Sequence, residues 1–173
     1  SVRGEDLVSV RDMLDSYFGH LEEISKLNDV VTGVTTGFTE LDKRTAGLQP
    51  SDLIIVAARP SMGKTAFSLN LALNAAAAGK KVAFFSLEMS AEQLMMRLIV
   101  GESGLDSRDV RNGQLTPDQW KHLETSIKPL AAAPLFIDDT PALSIYEFRS
   151  KARRLKTQYD IQLVIIDYLQ LMT

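Results

Sequence analysis

The residues with the clearest chemical potential are Gly63, Lys64 and Thr65, which lie between an apolar run and a segment rich in alanine and leucine. A strand, a loop ending in Gly-Lys-Thr and a helix form the context of a phosphate-binding loop. In such a loop, backbone N–H groups and the helix N-terminus enclose a polyphosphate. The lysine reaches the β and γ oxygens, and the hydroxyl ligates Mg²⁺. The candidate binding residues are Arg59, Pro60, Ser61, Met62, Gly63, Lys64 and Thr65.

The loop departs from the usual pattern at its first position, where Ala58 stands in place of glycine. A small residue still fits at the end of a strand, so the departure weakens the prediction only slightly. The alternative is an incidental Gly-Lys-Thr at a helix start, which the flanking elements disfavour. We therefore predict that Lys64 binds phosphate and takes part in catalysis, and that Thr65 ligates magnesium.

Aspartates that follow two later apolar runs are candidates for the second magnesium ligand. Asp167 follows residues 163–166, whereas Asp138 and Asp139 follow residues 135–137. In open α/β sheets, ligands bind at the edge formed by the carboxyl ends of the strands. We favour Asp167, because its strand is longer and more apolar, and because the Thr-Pro pair after Asp139 indicates a turn.

The sequence also offers one candidate for the base that activates water. Many related sites place glutamate directly after the strand-end aspartate, but Tyr168 occupies that position. Glu88 follows the apolar run 82–85 and would reach the same edge of the sheet, where it could orient and deprotonate a water molecule. The alternative is that Glu88 only adds negative charge near the start of the helix after Ser90. We favour the catalytic interpretation.

The elements that must position these residues alternate between strand and helix. Apolar runs predict buried strands at 53–58, 82–85, 135–137 and 163–166. Alanine-rich composition predicts a helix over 64–78, and capping boxes predict helices that begin after Ser90, Thr116 and Ser144. The expected fold is α/β, a P-loop NTPase with a parallel sheet, right-handed crossovers and helices on both faces.

A separate amphipathic helix is predicted over residues 5–27. Its apolar positions alternate in steps of three and four and form one stripe, made of Leu7, Val10, Leu14, Tyr17, Leu21 and Ile24. Such a stripe needs a docking surface, either on its own domain or on a neighbouring subunit, and the polar stretch Asn28-Asp29 would let the helix swing away. The pattern alone leaves both possibilities open.

Composition narrows the functional classes. The chain has 173 residues, 45% hydrophobic and 24% charged, which suits one compact domain. It has no cysteine, which excludes disulfides, thiolate zinc sites and cysteine nucleophiles. Its net charge of −3 argues against an extensive nucleic-acid-binding surface within these residues. No apolar run is long enough to predict a membrane span.

Several segments in order resemble one known family, the bacterial replicative DNA helicases of the DnaB family. The resemblance rests on residues 33–38, Leu41-Asp42, residues 46–48, the loop 58–65, residues 84–90 and residues 166–172. Residues 31–173 are similar to the first part of that family's C-terminal RecA-like motor domain. Residues 1–30 are similar to the linker helix that precedes it.

The resemblance implies a cytoplasmic ring-shaped homohexamer that hydrolyses ATP with Mg²⁺ at subunit interfaces. Such a ring moves along single-stranded DNA and unwinds the replication fork, with primase and a helicase loader as partners. It assigns Lys64 and Thr65 to phosphate and magnesium, Glu88 to the base and Asp167 to the magnesium shell. It also implies that the N-terminal helix docks on the adjacent subunit.

In that family the DNA-contacting loops, a polar sensor motif and the arginine finger lie farther along the chain. We therefore expect an incomplete sheet, DNA contacts outside these residues and poor hydrolysis by this piece alone, because a trans-acting arginine contributes on the order of 10³–10⁵ in rate. Two alternative functions remain open. One is a RecA-type recombinase or another RecA-fold ATPase, and the other is a non-catalytic, nucleotide-dependent assembly module.

Overall fold

The computed structural model describes residues 7–27 and 31–168. The described elements are α1 (Val10–Lys26), α2 (Thr39–Thr45), α3 (Lys64–Ala77), β1 (Val82–Ser86), α4 (Ala91–Ser103), α5 (Ser107–Asn112), α6 (Pro117–Ala132), β2 (Leu135–Asp138), α7 (Ile145–Tyr159) and β3 (Leu163–Asp167). Three of the four predicted strands are present, each separated from the next by one or more helices, and the fold is α/β. Among these residues, no helix is both long enough and apolar enough to cross a bilayer.

The sheet has three parallel strands in the order β2-β1-β3, so the connection from β2 to β3 crosses over β1. Phe85 lies opposite Asp138 on one side of β1, and Ser86 lies opposite Asp167 on the other. Because all three strands run in the same direction, their carboxyl ends meet at one edge of the sheet. Asp138 and Asp167 therefore flank the end of β1.

The two faces of the sheet carry separate apolar cores, as expected when helices cover both faces. Val82 and Phe84 of β1 pack with α3 and α4, while the alternate residues Ala83 and Phe85 face a second cluster. That second cluster includes Phe148 and Leu155 of α7. All five residues of β1 are buried, which makes β1 the centre of the described sheet.

Capping chemistry determines where several helices begin. The predicted capping boxes at the starts of α4, α6 and α7 are all present and use Ser90, Thr116 and Ser144 as caps. Helices α4 and α7 continue to Ser103 and Tyr159. The short helices α2 and α5 were not predicted, because neither is long enough to show an apolar period.

Residues 53–58 do not form the buried strand that their apolar pattern predicts. No strand in the described part of the chain pairs with them, and the side chains of Leu53 and Ile55 are 88% and 79% exposed. An extended segment becomes part of a sheet only where a neighbour pairs its N–H and C=O groups. Both edges of β1 are taken by β2 and β3, and in the described part of the chain the outer edges of β2 and β3 do not pair with residues 53–58 either. Apolar composition indicates a preference for burial, but it does not identify the partner strand.

The amphipathic helix α1 begins at Val10, where the Ser9 hydroxyl accepts a hydrogen bond from the Asp12 N–H at 3.2 Å. None of its residues is buried. Its apolar stripe is largely exposed to solvent, with Val10 72%, Leu14 49% and Leu21 41% exposed. Residues 5 and 6 of the predicted helix, and Asn28-Asp29 after it, lie outside the described residues.

A buried carboxylate organises the segment before the loop 58–65. Asp42 accepts hydrogen bonds from the Thr35 hydroxyl at 2.6 Å, and from the Thr36 N–H and hydroxyl at 2.9 and 2.7 Å. Burial alone would raise the pKa of Asp42, but these hydrogen bonds outweigh it and hold the pKa below its ordinary value. We call Thr35, Thr36 and Asp42 the Asp42 cluster.

The Asp42 cluster is attached to helix α3. The Asn74 side-chain amide donates to the Thr36 carbonyl at 3.0 Å, and the ring of Phe38 stacks on Phe67 with centroids 5.0 Å apart. Gly37 has a φ of +75°, and a Cβ at that position would collide with the Asn74 side chain. Glycine therefore allows this close approach to the helix that carries Lys64 and Thr65.

Candidate active site

The loop before α3 has a backbone suited to binding an anion. Ser61 and Gly63 adopt the left-handed conformation with φ of +64° and +81°, and Met62 between them does not. Alternation of this kind turns successive N–H groups toward one side of the chain and forms an anion-binding concavity. A turn with one long hydrogen bond supports this backbone conformation, in which the Met62 N–H donates to the Arg59 carbonyl at 3.3 Å.

Gly63 is also the N-cap of α3, and no side chain caps this helix end. The first N–H groups of a helix have no acceptor within the helix, so they are available to a bound ligand. No atom lies within 4 Å of where a Cβ of Gly63 would be, which leaves space beside the loop. Backbone donors, the helix dipole and open space together fit a phosphate group.

Two oxygens from distant parts of the chain meet beside this loop. The Thr65 hydroxyl donates to Asp167 Oδ2 at 2.7 Å, across a sequence separation of 102 residues. The Lys64 ammonium lies 3.8 Å from Asp167 Oδ1. Asp167 is only 5% exposed. The structure therefore brings Lys64, Thr65 and Asp167 together. A hydroxyl and a carboxylate are hard oxygen donors of the kind that Mg²⁺ prefers.

Tyr168 contributes a contact that the sequence analysis did not anticipate. The Lys64 ammonium lies 4.1 Å from the centroid of the Tyr168 ring, within the range of a cation–π interaction. The sequence signal for this contact was an aromatic residue directly after the strand-end aspartate. The Asp167 carboxylate and the Tyr168 ring thus both lie close to the Lys64 ammonium.

The competing aspartates at the end of β2 have other partners. Asp138 accepts hydrogen bonds from the Lys151 ammonium at 2.8 Å and from the Thr140 N–H at 2.9 Å. Burial alone would raise the pKa of Asp138, but the contacts with Lys151 and Thr140 outweigh it and hold the pKa low. Asp139 accepts from the Ala91 N–H at the start of α4 at 2.8 Å. These contacts support the choice of Asp167 over Asp138 and Asp139.

Glu88 lies in the turn that follows β1, at the same edge of the sheet. The Leu87 N–H donates to the Asp167 carbonyl at 2.8 Å, which holds the residue before Glu88 against the end of β3. Leu87 is buried and Glu88 is exposed. The Glu88 side chain is therefore accessible to solvent at the edge where Asp167 lies, as activation of a water molecule requires.

The fold and this site define a class of protein. A parallel α/β sheet, a loop that ends in Gly-Lys-Thr at a helix N-terminus, and an aspartate from a neighbouring strand are the features of P-loop nucleotide-binding proteins. The comparison with protein families gives the finer assignment. The DnaB-like helicase C terminal domain family matches residues 33–173, and the chain belongs to this family.

Relatives and solved structures agree with that assignment. The chain is 46% identical over 164 residues to a replicative DNA helicase DnaB of Geobacillus stearothermophilus, covering 94% of this chain and 36% of that protein. It is 49% identical over 170 residues to the replicative DNA helicase DnaB of Haemophilus influenzae, covering 95% and 36%. The chain therefore spans about a third of the length of these curated relatives.

Two solved structures share the fold. A solved ATPase domain superimposes with a TM-score of 0.87 at 33% identity, over 97% of this chain and 60% of that one. A DnaB-like replicative helicase, described with its interactions with primase, gives a TM-score of 0.82 at 33% identity, over 91% and 40%. These likenesses confirm the family resemblance and the RecA-like ATPase fold that the motifs imply.

Proposed function

We propose that this chain is the nucleotide-hydrolysing part of a replicative DNA helicase motor, which couples ATP hydrolysis to translocation on single-stranded DNA and to unwinding at the fork. The observation that carries the proposal is the contact between Thr65 and Asp167, with the Lys64 ammonium beside them. Membership of the DnaB-like family supports helicase chemistry over strand exchange by a recombinase. The site of action is the cytoplasm, where a bacterial chromosome is replicated.

In this proposal, each part of the site has a distinct task. The backbone of residues 59–63 and the N-terminus of α3 bind the phosphates of ATP, and Lys64 neutralises charge that develops on them. Thr65 and Asp167 would hold Mg²⁺, which would supply electrostatic stabilisation of the transferred phosphoryl group. Glu88 orients the attacking water and accepts its proton.

Substitution of the proposed base tests the assignment. In the complete natural protein that contains this chain, Glu88→Gln should retain nucleotide binding and lose ATP turnover by about 10²-fold or more, because glutamine cannot accept the proton. Glu92→Gln, at an exposed position in the first turn of α4, is the matched control and should keep its turnover. Unchanged turnover in Glu88→Gln would remove Glu88 from this role.

We also propose that α1 docks on a neighbouring copy of the chain within a homohexamer. The support is its apolar stripe, which is exposed along the helix and has no buried residue in the single chain. An amphipathic helix of this length is marginal without a surface that covers its apolar face. Single-stranded DNA, primase and a helicase loader are the further partners that we propose for the assembled ring.

Charge placed in the stripe tests this docking. Leu14→Asp together with Leu21→Asp should weaken subunit association in the complete protein without unfolding the subunit, because both side chains are already half exposed. The matched control is Asp15→Asn with Glu22→Gln, which alters the next residue at each position. Sedimentation velocity over a range of concentrations measures the outcome, and intact hexamers at low concentration in the double aspartate variant would refute the proposal.

A further inference from the structure

The turn that carries Glu88 is closed by a buried hydroxyl. Ser86, the last residue of β1, is 1% exposed, and its hydroxyl donates to the Met89 carbonyl at 2.7 Å. We call residues 86–89 the Glu88 turn. The hydrogen bond joins the first residue of the turn to the last. It therefore restrains the backbone of residues 86–89, which carries the exposed Glu88 side chain.

The two residues that flank Glu88 are anchored in opposite cores. Leu87 is buried in the cluster on the α7 side of the sheet, and its N–H donates to the Asp167 carbonyl at 2.8 Å. Met89 packs against the cluster on the α3 side. The chain therefore passes from one face of the sheet to the other between Leu87 and Met89, with Glu88 at the crossing. The Ser86 hydroxyl spans this crossing through its hydrogen bond to Met89.

The chain is also fixed where it leaves the Glu88 turn. The Ser90 side chain caps α4 in a capping box with Gln93. The N–H of Ala91, the first residue of α4, donates to Asp139 of the neighbouring strand end at 2.8 Å. The start of α4 is thus held against the end of β2, while the start of the turn is held against the end of β3. The Ser86–Met89 hydrogen bond links the part of the turn that is held at β3 to the part that leads into α4.

We propose that Ser86 is a positioning residue, which holds Glu88 at a fixed distance from the Thr65–Asp167 pair through its hydrogen bond to Met89. Ser86 is the ladder partner of Asp167, so the same residue lies beside the proposed magnesium ligand and closes the turn of the proposed base. This inference rests on the function proposed above, in which Glu88 activates the attacking water. Ser86 itself does not contact the reacting atoms in this proposal.

Removal of the hydroxyl should affect the chemical step more than binding. In the complete natural protein, we expect Ser86→Ala to lower kcat by roughly ten- to a hundredfold, since a misplacement of about 1 Å can cost 10²-fold. The KM for ATP should change less than about threefold, because the phosphate-binding loop is untouched. Ser86→Thr keeps the hydroxyl and should restore most of kcat. Equal loss of kcat in the alanine and threonine variants would overturn the proposal.

A matched control separates positioning from general packing. Ser103 is also buried, and its hydroxyl accepts a hydrogen bond from the Leu105 N–H at 3.3 Å, at the end of α4 away from the site. Ser103→Ala should leave kcat unchanged. If Ser86→Ala does not fold, Ser86→Cys gives the same comparison, because it keeps the side-chain size and weakens the donor. We expect an intermediate kcat from that variant.

A double-mutant cycle distinguishes failure of this inference from failure of the proposed function. If Ser86 acts through Glu88, then Ser86→Ala should lower single-turnover hydrolysis little further in a Glu88→Gln background. Additive losses would show that Ser86 acts independently of Glu88 and would overturn the positioning role alone. Normal turnover in Glu88→Gln by itself would overturn the proposed base, whatever Ser86→Ala does.

Discussion

The ends of β2 and β3 make an instructive pair, because each places an aspartate beside the end of β1. Asp138 is held by Lys151, a residue of α7, the helix that connects β2 to β3. Asp167 instead contacts Lys64 and Thr65, the first two residues of α3. The same residue type at the same edge of the sheet therefore has two different partners.

We infer that the different partners of the two carboxylates go with different roles. The Asp138–Lys151 pair connects elements of the same crossover, and its contacts are those of a structural ion pair. Asp167 connects the third strand to the loop that we propose binds phosphate, so a bound cation there would touch both. The following predictions test the contrast, beginning with the largest expected effect.

The asparagine variants of the two aspartates should differ most in turnover. We expect Asp167→Asn to lower magnesium-dependent ATP hydrolysis by about 10²–10³-fold, as removal of a group that stabilises transition-state charge does in other enzymes. Asp138→Asn should stay within a few-fold of the parent protein. Steady-state hydrolysis over a range of magnesium concentrations measures both, and a greater loss from Asp138→Asn would reverse the assignment.

Substitution of Asp138 should change the stability of the fold. Asp138→Ala leaves the partly buried Lys151 ammonium without its carboxylate, and we expect the free energy of unfolding to fall by about 1–2 kcal/mol. Urea denaturation of Asp138→Ala, Lys151→Ala and the double variant gives the coupling energy between the two side chains. A coupling near zero would show that the ion pair contributes nothing to the fold.

The Asp138–Lys151 ion pair should also affect how the free energy of unfolding depends on pH. The pKa of Asp138 in the folded protein lies below its ordinary value of 3.8, so its contribution to stability is full above pH 3.8 and is lost as the pH falls through the lower folded pKa. The free energy of unfolding of Asp138→Asn should therefore fall less steeply below pH 3.8 than that of the parent. Identical slopes in the two proteins would contradict the lowered pKa.

The smallest effect is expected at Tyr168. Tyr168→Leu removes the ring that lies against Lys64, and nucleotide binding should weaken by about two- to fivefold, or roughly 0.5–1 kcal/mol. Tyr168→Phe keeps the ring and should bind nucleotide like the parent. Titration with a fluorescent ATP analogue distinguishes the two variants, and equal weakening in both would assign the effect to the hydroxyl instead.

Local chemistry made much of the fold and site predictable. The capping boxes at Ser90, Thr116 and Ser144 use short-range hydrogen bonds, so their sequence patterns were sufficient. The carboxyl ends of parallel strands share one edge, which made the strand-end aspartates candidates, and the longer, more apolar run before Asp167 favoured it over Asp138. The roles of Lys64, Thr65, Glu88 and Asp167 in catalysis and metal binding remain predictions, although the structure brings Lys64, Thr65 and Asp167 into contact.

Some features that depend on distant partners were not predictable from pattern, although Thr65 and Asp167 were assigned to one site. The apolar run 53–58 has the composition of a strand, but strand formation requires a neighbour that composition does not specify. The buried Asp42 cluster was missed because a carboxylate and two threonines normally indicate solvent exposure. The contact between Lys64 and Tyr168 joins residues far apart in sequence, and only the folded chain brings them together.

The attachment of the Asp42 cluster to α3 has a mechanical consequence. Residues 35–42 contact that helix at two positions along its length, through the Phe38–Phe67 stack near its first turn and through the Asn74 amide farther along. Two contacts separated along the helix restrain its rotation as well as its translation relative to residues 35–42. The Asp42 cluster therefore helps to hold in place the helix whose first residues are Lys64 and Thr65.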